Sequence, residues 1–128
     1  MKWLPAALLA ALIVVATASA APPKQLIGKW TRKVTAADVQ RAGSSKIIPG
    51  LTWTLTVTQH GSKVTQGETS LKGSITPSNE TQVNIELGVQ KANLYDWRRV
   101  ATKLLLHARV EPVADRKAVL NGTWQKRG

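Results

Sequence analysis

The chain contains no cysteine and no phenylalanine, one tyrosine, two histidines and only seven carboxylates. Without cysteine there is no disulfide staple, no thiol nucleophile and no thiolate metal site. With two histidines, His60 in a turn and His107 on a basic stretch, and no acidic or imidazole partner at ligand spacing, a metal centre is not expected. The carboxylates are scattered, and Ser62 and Ser78 sit in turn clusters without a nucleophile elbow. The sequence therefore predicts a protein that is not an enzyme and carries no cofactor.

What is present begins with a leader. Lys2 gives a positive start, Leu8 through Val15 is an unbroken apolar run, and Ala18-Ser19-Ala20 supplies the small residues a signal peptidase reads. The apolar run is shorter than the roughly 20 residues that span a bilayer. Residues 1–20 are thus expected to be a cleaved signal peptide and 21–128 one domain, with no transmembrane segment after cleavage. A cysteine-free exported chain suits a bacterial periplasm or the surrounding medium. A small secreted domain without disulfides must be held by a hydrogen-bonded framework, which favours a closed sheet.

The formal net charge is +11, and only one basic residue, Lys2, lies in the leader. Such a field draws anionic surfaces, an envelope component or an acidic protein, and it also simply keeps a protein soluble. Nucleic acid is not the expected partner. Single-strand readers stack bases on exposed aromatics, whereas the five tryptophans and Tyr95 here fall mostly at core-like positions.

The domain reads as β throughout. Trp53, Leu55 and Val57 alternate with four threonines, then His60-Gly61-Ser62 turns into Lys63-Val64-Thr65. Leu71, Gly73 and Ile75 alternate with polar residues before the Pro77-Ser78-Asn79 cluster. Val83, Ile85, Leu87 and Val89 alternate again. Residues 97–111 fit a strand or a helix, and the neighbouring strands favour a strand leading through a turn at Pro112 and Asp115-Arg116 into Ala118–Lys126. One short helix is expected, from the Thr35…Asp38 capping box to Gly43.

The two ends echo each other: Gly28-Lys29-Trp30 opens the first strand and Gly122-Thr123-Trp124 closes the last. In a closed barrel these segments meet, with Gly28 and Gly122 allowing close approach, Trp30 and Trp124 plugging the barrel, and Arg32 or Lys126 over an indole face. This Gly-x-Trp start, the short helix after it and the antiparallel meander resemble the calycin group of lipocalins and avidin-like barrels. The Trp53–Thr65 hairpin and the terminal Gly-Thr-Trp are similar to those of small exported bacterial barrels. The resemblance implies an all-β, antiparallel up-and-down barrel whose interior holds a small apolar ligand. The inward candidates are Trp53, Leu55, Val57, Val83, Ile85, Leu87, Leu104 and Leu106, which either line a cavity or fill the core. The alternative is a binding module, such as an inhibitor, whose cationic outer face of Arg99, Lys103, His107 and Arg109, beside Leu105, meets an anionic partner.

Overall fold

The computed structural model describes residues 21–88 and 91–127, so the leader and Val89 lie outside the described residues. A 3-10 turn, Lys24–Leu26, leads into eight strands: β1 Gly28–Lys33, β2 Thr52–Val57, β3 Ser62–Gln66, β4 Thr69–Asn79, β5 Gln82–Leu87, β6 Leu94–Val100, β7 Lys103–Val110 and β8 Gly122–Lys126. Each strand pairs antiparallel with the next, and β1 closes on β8 with Trp30 opposite Lys126 and Thr31 opposite Gln125. The protein is a closed up-and-down β-barrel, the all-β architecture expected from the sequence. Full closure removes the exposed edges that a cysteine-free sheet would otherwise have to protect. No helix among the described residues is long and apolar enough to cross a membrane.

Two α-helices accompany the barrel where the sequence predicts one. The first, α1 Ala36–Ala42, is the expected one. The Thr35 hydroxyl accepts from the Asp38 N–H, Asp38 accepts from the Thr35 N–H, and the helix stops at Gly43. The second, α2 Ala114–Leu120, replaces the predicted turn at Asp115-Arg116 and the front half of the predicted last strand. No side chain caps its N-terminus, and Asp115 in the first turn is its one local mark. It forms because tertiary burial rewards it: Ala118, Val119 and Leu120 all face the core.

Residues 97–111 are β, but as two strands. The chain reverses at Ala101-Thr102, where Ala101 takes a positive φ of 55°. A turn with neither Gly, Pro nor Asn carries no compositional mark. The hairpin sets Arg99 opposite Leu104 and Trp97 opposite Leu106, and cross-strand partners share a face. Arg99 therefore sits on the inward side at the barrel end, not with Lys103, His107 and Arg109.

Alternating connections give the barrel two distinct ends. One carries the 3-10 turn and three tight turns; the other carries α1, α2 and the segment after Leu87. Trp30 and Trp124 are both fully buried and use one device. The Trp30 Nε1 donates to the Leu26 carbonyl at 2.9 Å, and the Trp124 Nε1 donates to the Leu120 carbonyl at 3.0 Å. Each indole thus satisfies an orphan carbonyl of the helical turn that precedes its own strand. Lys126 lies 5.4 Å from the Trp30 ring centroid, as expected of one of the two candidates. Arg99, not Arg32, is the second cation over that ring, at 5.3 Å, and its Nη1 also donates to the Gln25 carbonyl.

Candidate functional site

Where the helices cover the barrel, the interior opens into a pocket of about 300 Å³. Trp53 from β2, Val64 from β3, Leu71 from β4 and Leu87 from β5 form its strand side. Val113, Val119 and Leu120, on and just before α2, and Ile47 from the loop after α1 complete the apolar wall. Its charged members are Asp115 and Arg116. A volume near the lower bound of ordinary ligand pockets, walled by hydrocarbon with few polar groups, is the form that small-molecule sites take.

The eight inward candidates from the sequence are all buried. Only Trp53 and Leu87 reach the pocket. Leu55, Val57, Val83, Ile85, Leu104 and Leu106 pack with Trp30 and Trp124 into a continuous apolar core. The barrel is thus packed with side chains through most of its height and leaves an apolar pocket at the end that α2 covers. Ile47, Val64, Leu71, Val113, Val119 and Leu120 are not singled out by the sequence. Val64 and Leu71 carry the same alternation as the chosen residues, whereas the α2 contributors depend on a helix the sequence does not announce.

A buried polar knot fixes α2 beside the pocket. The Glu111 side chain is fully enclosed and its carboxylate collects five donors. Oε1 accepts from the Tyr95 hydroxyl at 2.8 Å, the Asn93 Nδ2 at 3.0 Å and the Arg116 Nε at 2.8 Å. Oε2 accepts from the Arg116 Nη2 at 2.8 Å and the Val113 N–H at 3.2 Å. Asn93 also pairs with both the N–H and the carbonyl of Ile85, extending the sheet through a side chain. Burial pushes the Tyr95 hydroxyl far above its ordinary pKa, and the neighbouring Glu111 adds to the shift.

A second knot holds the helices to each other. Arg32 points inward from β1, its Nη1 donating to the carbonyls of Ala118 at 3.0 Å and Val119 at 2.6 Å, at the C-terminal end of α2. Its Nη2 meets Asp38 of α1 at 2.8 Å. Burial lowers the Arg32 pKa, with Asp38 offsetting part of that. At Asp38 burial pushes upward, yet the Thr35 N–H and hydroxyl, with Arg32 and Arg41, outweigh it and hold the carboxyl below its ordinary value. Gly122 is what admits the guanidinium: a Cβ there would stand 2.5 Å from Arg32 Nε and Nη2. Gly28 instead lies under the flexible end of Lys126, whose Nζ would be 3.0 Å from an added Cβ.

Compared with known proteins, the chain matches no family model, no curated protein and no solved structure.

On the outer surface, the four predicted cationic residues separate. Lys103 and His107 stay exposed, and Leu105 lies between them. Arg109 pairs with Asp96, whose carboxyl is held low first by the Gln82 amide and then by Arg109, against a smaller upward push from burial. Arg99 is drawn over Trp30 at the barrel end. A different cationic row emerges from the register: Lys29 pairs with Thr56, Thr56 with Lys63 and Lys63 with Lys72, across β1 to β4. Beside it runs a hydroxyl row of Thr31, Thr54, Thr65 and Ser70. Neither row contains a carboxylate.

Proposed function

We propose that the chain is an exported, non-catalytic, lipocalin-like binding protein that carries a small apolar molecule in the pocket beneath α2 and the loop after α1. The observation that carries this reading is the apolar pocket of about 300 Å³ opening from an otherwise filled barrel. The closed eight-strand meander and the Gly-x-Trp at the head of β1 support a calycin-type barrel, and the leader supports export. The enclosed Glu111 and the paired Asp38 hold helices in place, which suits a scaffold and not proton transfer.

The test is native mass spectrometry of residues 21–128, recovered from the protein's own secretion route, at rising ionic strength. An adduct of a few hundred daltons or less that survives salt, and is lost in Val113→Trp, agrees with the reading. A bare protein that also fails to take up N-phenyl-1-naphthylamine, a neutral apolar probe, would sink it.

A second reading is a module that binds an anionic envelope component or an acidic protein through its outer face. It is favoured by the Lys63–Lys72 pairing, since like charges directly opposite each other destabilise a sheet. Salt separates the two readings, because a surface electrostatic complex weakens as the Debye length shrinks and a pocket ligand stays.

A further inference from the structure

We infer that the pocket selects an uncharged or cationic amphiphile of about ten carbons, with a hydrogen-bond donor at its polar end, and disfavours the fatty-acid anion. The inference rests on the pocket reading above and names the ligand class.

The net charge of +11 points the other way, towards a carboxylate ligand. The local groups decide against it. Among the described residues Arg116 is the only cation in the pocket wall, and it is committed: Nε and Nη2 each bond Glu111 at 2.8 Å, and Nη2 also donates to the Lys91 carbonyl at 2.8 Å. Arg116 and Glu111 cancel as charges. Asp115 remains. It accepts the Ser44 hydroxyl at 2.6 Å on Oδ1, and no cation lies within ion-pair distance of it among the described residues. A carboxylate has roughly four acceptor positions, so capacity for a ligand donor is left. Trp53 Nε1 is a donor without a hydrogen-bond partner, but it is closed off from solvent, so Trp53 presents its ring to the pocket.

A carboxylate entering this site would shed its hydration, meet no exposed donor and approach Asp115, an unfavourable exchange on each count. A hydroxyl or ammonium head would donate to Asp115 while its chain covers Trp53, Leu87 and Val119. At the packing density of protein interiors, the pocket's 300 Å³ holds roughly 220 Å³ of molecular volume, enough for a ten-carbon chain with its head group or for the aromatic probe.

The experiment compares decanol, decylamine and decanoate as competitors of N-phenyl-1-naphthylamine on the secreted protein at pH 7 and fixed ionic strength. Decanol is expected to bind about tenfold tighter than decanoate, a difference of one charge-assisted contact, and decylamine tighter again because its ammonium faces the Asp115 carboxylate. Asp115→Asn, which keeps an acceptor for Ser44, should erase the advantage of decylamine over decanol and narrow the gap between decanol and decanoate. Decanoate binding as tightly as decanol overturns the inference while the pocket reading stands. A decylamine advantage that survives Asp115→Asn overturns the assignment to Asp115. No binding of the probe or of any competitor overturns the pocket reading itself.

Discussion

Replacing Gly122 with alanine perturbs a site where one missing methyl group makes room for a buried cation. Two costs combine. The φ of 153° at Gly122 is a backbone state alanine reaches only with strain, about 1–2 kcal/mol. The added Cβ would also press on Arg32 Nε and Nη2 at 2.5 Å, and the guanidinium has nowhere to go without releasing its partners. Those partners are the Ala118 and Val119 carbonyls and the Asp38 carboxylate. Leaving buried acceptors unsatisfied costs about 1–3 kcal/mol each, softened where the side chain shifts only in part. Gly122→Ala is therefore expected to cost about 4–5 kcal/mol in all. Gly28→Ala is the control, since it has a similar backbone (φ 141°) but meets only the movable end of Lys126, and should cost about 1–2 kcal/mol. The assay is urea unfolding followed by tryptophan fluorescence, run as a double-mutant cycle with Arg32→Met. In the Arg32→Met background the cost of Gly122→Ala should fall to the backbone strain, a coupling of about 2–3 kcal/mol. Additive costs across the cycle would refute the claim that Gly122 exists to seat Arg32.

Three further outcomes follow from the same geometry. Glu111→Gln should lower stability by about 3–5 kcal/mol, because it leaves the Arg116 cation buried without its counter-charge, whereas Tyr95→Phe removes one donor of five and should cost about 1–2 kcal/mol; chemical denaturation measures both. Because Asp38 titrates below its ordinary value of 3.8 in the folded protein, its contribution is present above about pH 4 and is lost as pH falls through the folded-state value; acid unfolding should begin at higher pH in Arg32→Met, where one stabilising partner is gone. Lys63→Thr should raise stability slightly, by roughly 0.2–1 kcal/mol, by relieving the like-charge pair with Lys72, and should at the same time weaken any retention on an anionic resin.

The parts of this molecule that were legible in its sequence are those in which local chemistry and tertiary packing agree. Strict alternation in 52–57 and 82–87 states both the strand and its inward face, and every apolar residue so assigned is buried. The Thr35…Asp38 box is equally local, and α1 forms where it says. The misreadings share the opposite property. The Ala101-Thr102 turn and α2 carry no turn residue and no cap, so only the closed barrel calls for them: strands β6 and β7 need a reversal, and the open end needs a cover. Their consequences spread. Missing one reversal sent Arg99 to the wrong side of the sheet, because the two-residue turn pairs residues of opposite parity, Arg99 with Leu104, and so puts them on one face. Missing α2 hid half of the pocket wall and the charged pair that sets its preference.

The echoed Gly-x-Trp motifs show the limit from another side. They correctly announce two buried indoles at the seam, yet the close neighbour that each glycine accommodates is a cationic side chain, Lys126 in one case and Arg32 in the other. A sequence motif can declare that space is needed without declaring what fills it. Ligand chemistry has the same character here: the chain's overall charge points to an anion, and the ion pairs inside the fold, which no composition reveals, leave Asp115 as the pocket-lining carboxylate without a cation beside it among the described residues.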